Sequence, residues 1–450
     1  MEKQQITTFE TAVDYLYNMP RFTTKNTLED TKAFLKRLGN PDCKMNIIHV
    51  AGTNGKGSVC AYLRSILEAA GKRVAVFTSP HLVDVRERFL IKGKMVEKQV
   101  FLDAFLQVYD SLDWDILENE EGQNGISKKA YHPTFFEYLF FMAMIIFSRQ
   151  ELDYCILETG LGGRLDATNA VKRKVLSVIT RISLDHVEYL GNTIKQIAEE
   201  KAGIMQEGVP VIFTDSGEEA TGVFRKKAAE LGILAYSVSN SDYAFLNFKN
   251  KSIDFSVHTG YYGYVTLTLH TIARYQMENA ALAVRAIELL DREHTITTKD
   301  ITEGISSCFW AGRMEEILPE VFVDGAHNED GIRAFLDTVR EDGYDRESGF
   351  RRSLLFSVVQ DKDYERMVQE LVESDLFDKL AIAQMHTNRA ISMEILQELL
   401  AKYPKCNYHL YTKVDTALEE LLQERGGKER IYIAGSLYLV GEIKESFRHD

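Results

Sequence analysis

Val50-Ala51-Gly52-Thr53-Asn54-Gly55-Lys56-Gly57-Ser58 is the stretch on which the fold turns. It leaves an apolar β-rich run, Asn46–Val50, and opens a run that predicts a helix from about Ser58 to Ala70, stopped by Gly71. A strand, a glycine turn and a helix in that order form an anion cradle. Glycines let backbone N–H groups converge, the helix N-terminus adds its positive end, and Lys56 adds a full charge. The pattern GxxGKGS departs from the usual GxxxxGK[ST]: the first interval is two residues shorter, and Gly57 stands before the hydroxyl of Ser58. A plain β-to-α turn with a surface lysine is the blander reading. It is the weaker one, because four functional residue types share the required context. Gly52, Thr53, Asn54, Gly55, Lys56, Gly57 and Ser58 are therefore candidate nucleotide-binding residues.

Working outward, β-rich and helical runs alternate. Strands are expected at Val74–Phe77, Tyr154–Leu157, Val175–Thr180 and Val209–Phe213, and a helix between Asn192 and Met205, where Thr193 and Gln196 have capping-box spacing. Such alternation predicts an α/β fold with a doubly wound, mostly parallel sheet. From Tyr243 to His270 the pattern changes to β-branched and aromatic residues alternating with polar ones, turning at Asn250 and Gly260, which predicts a small antiparallel patch. The helix Gln276–Arg292 follows. After Trp310 a second α/β series begins with strands at Val321–Val323, Leu354–Val358, Leu380–Ala383 and Ile431–Ala434. With 450 residues and roughly 100–200 per domain, the expected division is a larger domain over 1–305 and a smaller α/β domain over 306–450.

Composition removes several classes of function. Apolar residues are 45% and charged residues 27%, so the chain can bury a large core. The net charge of −14 argues against a protein that coats nucleic acid or an anionic membrane. The five cysteines, Cys43, Cys60, Cys155, Cys308 and Cys406, are scattered and form no CxxC pair, which fits a reducing, cytoplasmic setting. The N-terminus has no apolar signal region. The most apolar stretch, Phe135–Phe147, is too short to span a bilayer and is interrupted by Glu137, so it reads as a core helix.

The loop does not stand alone. In chain order come Thr78-Ser79-Pro80-His81-Leu82 with Glu87-Arg88; Glu158 to Asn169, reading ETGLGGRLDATN; Asp185-His186; Glu200-Lys201-Ala202-Gly203-Ile204; Asn279-Ala280; Gly312-Arg313; Asp324-Gly325-Ala326-His327-Asn328; Asp361-Lys362-Asp363; and Gly435-Ser436-Leu437. This run of spaced motifs, together with GTNGKGS, resembles the folylpolyglutamate synthase / dihydrofolate synthase family of the Mur ligase superfamily over most of the chain.

That resemblance implies ATP-driven amide ligation, in which ATP phosphorylates a folate carboxylate and L-glutamate attacks the acyl phosphate. Bringing anions together demands metal and cationic residues. By family match Ser79, Glu158 and His186 would bind two magnesium ions, with His186 and Lys56 in the catalytic group. Glu158 ends the run YCILE, where open parallel sheets place their sites. Lys201 would be carbamylated by CO2, which needs a neutral, partly desolvated amine; read without the family, it is a solvated helix lysine beside Glu199 and Glu200. Asn279, Arg313 and Asp324 would contact ATP, and His327 and Ser436 the incoming glutamate. For His327 a bond to its own loop competes. The expected partners are ATP, L-glutamate and a reduced folate or dihydropteroate, with no nucleic acid and no membrane, acting as a monomer.

Some positions depart from the family pattern. Bifunctional members carry Leu-Gly-Leu-Glu-Arg near the N-terminus, where this chain has Asn26-Thr27-Leu28-Glu29-Asp30. Ala273-Arg274-Tyr275-Gln276 replaces Gly-x-His-Gln, and Ser357 stands where glycine is usual. These changes leave the ATP and magnesium machinery and bear on the pterin side. Folylpolyglutamate synthase is thus the leading expectation and the bifunctional enzyme the alternative. A muramyl–amino acid ligase is disfavoured by the early position of Gly52, and a P-loop switch by the second-domain DGAHN motif. A non-catalytic nucleotide sensor is disfavoured by the intact Lys56, Ser79, Glu158 and Asp324.

Overall fold

A computed structural model describes residues 4–19, 26–114, 131–343, 346–360, 362–387, 389–404 and 406–447. Its main sheet combines β1 (Ile47–Ala51), β2 (Val74–Phe77), β3 (Phe89–Ile91), β4 (Lys94–Met95), β5 (Tyr154–Glu158), β6 (Lys174–Ile179), β7 (Val211–Thr214) and β8 (Ala235–Val238). Their order is β4-β3-β2-β5-β1-β6-β7-β8. From β2 to β8 all neighbours are parallel, and β3 and β4 add an antiparallel edge. All five residues of β1 are buried, as expected of a central strand covered on both faces. The chain leaves β1 toward β2 on one side and later fills β6 on the other. The carboxyl ends of β5, β1 and β6 therefore form the crevice where open α/β sheets hold ligands.

The expected antiparallel patch is present as β9 (Tyr243–Lys249), β10 (Ser252–His258) and β11 (Tyr264–Leu269). Asn250 and Lys251 both have positive φ (52° and 58°), which makes the tight two-residue turn between β9 and β10. A second sheet follows: β12 (Glu315–Leu318), β13 (Val321–Val323), β14 (Arg351–Phe356), β15 (Lys379–Ala383), β16 (Tyr408–Tyr411) and β17 (Glu429–Ala434), in the order β12-β13-β17-β14-β15-β16. Only the β12–β13 pair is antiparallel. Ile272 and Ala273 pack into the core of this C-terminal sheet with Phe322 and Phe335, although they precede it in sequence.

The core helix expected over the apolar stretch Phe135–Phe147 is present, with Glu137 buried in its first turn. The helix runs Phe135–Ser148, and Glu137 closes a capping box with Thr134, its Oε2 accepting the Thr134 N–H at 2.7 Å. The Thr193/Gln196 box is only half formed. Thr193 Oγ1 accepts the Gln196 N–H at 3.2 Å, but Gln196 Oε1 turns to the N–H of Asn192 at 2.9 Å.

Candidate active site

The phosphate loop folds back on the main sheet because its glycines permit it. Gly52 has φ 146°, and a Cβ there would lie 1.8 Å from Thr180 Oγ1. Gly55 has φ 90°, and a Cβ would lie 2.2 Å from Asn279 Oδ1. No other residue type fits either place. Thr180 Oγ1 in turn donates to the carbonyl of Asn54 at 2.6 Å, and the Thr53 N–H donates to the Arg181 carbonyl at 2.9 Å. The helix then starts at Lys56 rather than Ser58 and runs to Ala69. Among the described residues nothing accepts the backbone N–H groups of Gly55, Lys56, Gly57 or Ser58, so the helix N-terminus presents four donors to an anion.

Two lysines meet at the first turn of this loop. Lys56 Nζ donates to the carbonyls of Gly52 and Thr53 at 3.1 and 3.0 Å, and Lys201 Nζ donates to the Gly52 carbonyl at 2.7 Å. Lys201 is therefore not a solvated helix lysine; it is only 4% exposed. Glu200, its neighbour, pairs with Arg164 instead. Burial, reinforced by Lys56, brings the Lys201 ammonium down to about 7. Lys56 is lowered for the same reason, against the pull of Glu158 and Asp185. Glu158, at the end of β5, is buried. Burial raises its carboxyl, Lys56 opposes that, and its Oε2 accepts the Ser79 N–H at 2.9 Å. Glu158 and Ser79 thus stand together, joined by that hydrogen bond, and the Ser79–Pro80 peptide that follows is cis. Glu87 holds the segment beyond it by accepting the N–H groups of Leu82 and Asp84.

The C-terminal sheet closes the other side. Asn54 Nδ2 donates to Asp330 Oδ2 (2.7 Å) and Asn328 Oδ1 (3.1 Å), and Asn328 Nδ2 donates to Asp185 Oδ2 (3.1 Å). Lys362 forms a buried ion pair with Asp185 at 2.5 Å. Burial favours the neutral acid at Asp185, but the Lys362 ammonium outweighs it and holds the carboxyl well below the usual range. Two histidines flank this pair. His186 Nε2 lies 3.5 Å from Lys362 Nζ, and His327 Nε2 lies 3.8 Å from Asp185. Burial lowers both imidazoles to about 4, so both are neutral at physiological pH. His327 makes the expected bond to its own loop, Nδ1 to the Gly325 carbonyl at 2.7 Å, which fixes the tautomer and leaves Nε2 facing Asp185.

Asp324 follows β13 and is buried. Its Oδ2 accepts from Tyr275 Oη (2.6 Å) and the Met314 N–H (2.9 Å), and its Oδ1 from the Ala326 N–H (2.8 Å). Burial raises its carboxyl, and Arg313 opposes that. Among the described residues Arg313 donates no hydrogen bond to protein. With Ser58, Gln276 and Trp310 it lines a cavity of about 150 Å³ beside the phosphate loop. Asn279 is buried against Gly55, and its Nδ2 donates to Gln276 Oε1 at 3.0 Å. Ser436 caps the helix Leu437–Ser446, accepting from the Tyr438 N–H, and the preceding Gly435 N–H donates to the Ala326 carbonyl. That links the loops carrying Ser436 and His327.

Lys362, Asp330 and Gln276 were not singled out from sequence as site residues. Lys362 carries a signal in the motif Asp361-Lys362-Asp363, of which Asp361 lies outside the described residues, and Gln276 in Ala273-Arg274-Tyr275-Gln276; Asp330 carries none. Among the described residues no three His, Cys, Asp or Glu side chains converge as a ready metal cluster. Glu158 and Ser79 nevertheless offer the hard oxygen donors that suit magnesium, a cation that takes one or two carboxylates and keeps several waters.

Residues 116–287 match the Mur ligase middle domain, and residues 312–437 match the Mur ligase glutamate ligase domain. The dihydrofolate synthase/folylpolyglutamate synthase of Bacillus subtilis is 32% identical over 454 residues, covering 98% of this chain and all of the relative. The chain belongs to the folylpolyglutamate synthase/dihydrofolate synthase family. E. coli FolC in complex with DHPP and ADP superposes on this family member with a TM-score of 0.82 at 27% identity, covering 98% of each chain. The apo form of L. casei FPGS gives 0.82 at 25% identity, covering 98% of this chain and 100% of that one. Members of this family are ATP-dependent ligases, and the two-sheet α/β fold of this chain is theirs. Among the described residues no helix is long and apolar enough to cross a membrane.

Proposed function

We propose that this ligase adds L-glutamate to the γ-carboxylate of reduced, (poly)glutamylated folates. The observation that carries the reading is the meeting of Lys56, Lys201 and Glu158 around four unpaired helix N–H donors, with Asp185 on the same side facing His327 and Lys362 across the cleft. The folate carboxylate oxygen attacks the γ-phosphorus of ATP, and ADP leaves. The amine of glutamate then attacks the acyl carbon, and inorganic phosphate leaves with the shared oxygen. The loop N–H groups and Lys56 offset the phosphate charge, and Arg313 reaches the same charge from the C-terminal side. Asp324 accepts from the nucleotide, with Asn279 behind Gly55. Ser436 and His327 hold the incoming glutamate, and neutral His327 Nε2 can accept from its ammonium. A cleft that closes around these groups also excludes water, which protects the acyl phosphate from hydrolysis.

Ser79, Glu158 and His186 would hold Mg2+, two ions in all; bound there, it would neutralise phosphate charge. Lys201 is read as a carbamate, formed when its neutral amine adds to CO2 and releases a proton. Its burial and its lowered ammonium favour that amine. The division into 1–305 and 306–450 is supported by the separation of the two sheets between β11 and β12.

The second reading, joining glutamate to dihydropteroate as well, is favoured by the name of the B. subtilis relative. Against it, Asp30 stands where bifunctional members have arginine, and its carboxylate is consumed in a capping box with Thr27. A single assay tests both readings. Protein, Mg-ATP and L-glutamate are incubated with a reduced folate or with dihydropteroate, and phosphate release and product mass are measured. Release with the folate alone supports the leading reading; release with both supports the second; release with neither overturns the ligase reading.

A further inference from the structure

The first turn of the helix Tyr275–Leu290 touches both halves of the nucleotide site. Gln276 Nε2 donates to Ser58 Oγ at 3.1 Å, and Asn279 lies against Gly55. Both belong to the phosphate-loop side. One residue earlier, Tyr275 Oη donates to Asp324 Oδ2 at 2.6 Å, on the C-terminal side. The same turn is clamped there twice more. Arg274 pairs with Glu341 at 2.6 Å, and Ile272 and Ala273 sit in the C-terminal core.

Asp324 needs this support. A carboxylate has acceptor sites for about four donors. Three are taken, by Tyr275, Met314 and Ala326, and their directions fix the plane of the group. Two of the three donors are backbone N–H groups within ten residues of Asp324. The phenol is the only one that reaches it from the helix beside the phosphate loop. It is also the only one of the three that a side-chain substitution removes.

We propose that Tyr275 is a positioning residue for nucleotide binding. Its hydroxyl orients the Asp324 carboxylate and ties that carboxylate to the helix that braces the phosphate loop. Loop and carboxylate are thereby held at one spacing, the spacing that a nucleotide must bridge. This rests on the reading of Asp324 as an ATP contact.

The test is ADP binding by calorimetry to the full chain, alongside steady-state kinetics. Y275F keeps the ring and removes only the donor. It should weaken ADP by roughly tenfold, the effect of losing one hydrogen bond to a charged group. KM for the reduced folate and for glutamate should stay within about twofold, and the melting midpoint should barely move. In a D324A background, Y275F should cost nothing further, because its only effect runs through that carboxylate. Unchanged ADP affinity in Y275F overturns the proposal. So does a parallel loss of all three substrates with a fallen melting midpoint, or full additivity of Y275F and D324A. ADP binding is read directly, so an absent ligase activity would overturn the proposed function and leave this test standing.

Discussion

Replacing Lys201 by methionine should stabilise the protein and abolish its activity, and the stabilisation should depend on pH in a definite direction. Lys201 is 4% exposed and its ammonium titrates at about 7 instead of 10.5. Below pH 7 the folded and unfolded chains both carry the proton, so the folded state bears the full cost of a buried cation. Between 7 and 10.5 the unfolded chain binds the proton and the folded chain does not, so stability rises with pH. Above 10.5 the cost is gone. At about 1.4 kcal/mol per pH unit, the fall from 10.5 to about 7 corresponds to roughly 5 kcal/mol. Losing the bond to the Gly52 carbonyl works the other way by about 1 kcal/mol at every pH. Urea unfolding of both proteins in CO2-free buffers at pH 6, 7, 8 and 9.5 reads the difference directly. K201M should lead by several kcal/mol at pH 6, and its lead should shrink steadily to pH 9.5. Lys174, also buried and at about 7, is present in both proteins and cancels. A gap that stays constant over the range would refute the reasoning.

Three further outcomes follow from the same geometry. K56A should fold normally by circular dichroism but lose at least about 100-fold in folate-dependent phosphate release, because the loop keeps its glycines and loses its charge. E158Q should raise the magnesium concentration needed for half-maximal rate by about tenfold or more, read in a metal titration; an unchanged requirement would remove Glu158 from the metal set. D185N leaves the Lys362 ammonium buried without its partner and should cost about 3–5 kcal/mol in urea unfolding, whereas D185N/K362M should cost clearly less. Equal losses would mean that the pair is not coupled.

Much of this site was legible because its chemistry is local in sequence. The phosphate loop carries its own glycines, lysine and helix start within nine residues, and Gly52 and Gly55 take the positive φ that only glycine adopts freely. Parallel strands such as Val74–Phe77 and Val321–Val323 read as apolar runs because both faces are covered. Lys201 read differently by pattern alone. Two preceding glutamates suggested a solvated helix face, yet the residue points at the Gly52 carbonyl, 149 positions away. Helix periodicity cannot report which face the next strand will cover. The same limit hid the Asp185–Lys362 pair and the Asn54–Asp330 bond, whose partners are more than 170 residues apart. Short edge strands such as Lys94–Met95 and Tyr408–Tyr411 were missed for a different reason: few of their residues are buried, so no apolar run marks them.

The charge of the chain and the charge of its site point in opposite directions, and the fold resolves them. At −14 the protein as a whole repels ATP, folate and glutamate. Lys56, Arg313 and Lys362 nevertheless converge on one cleft, and Arg313 and Lys362 both act on Lys56. Their carboxylate neighbours, Glu158, Asp185 and Asp324, are buried among them and keep the cluster from being a bare cation pile. That arrangement binds a polyanion only when its phosphates and carboxylates fall among the cations in order. Two of the contacts that bring the cations together, Asn54–Asp330 and Lys362–Asp185, run between loops of different sheets. Cation density at the cleft is therefore a property of the two sheets meeting rather than of either alone. Weakening either contact should raise the salt sensitivity of ATP binding, because more of the attraction would then act through solvent.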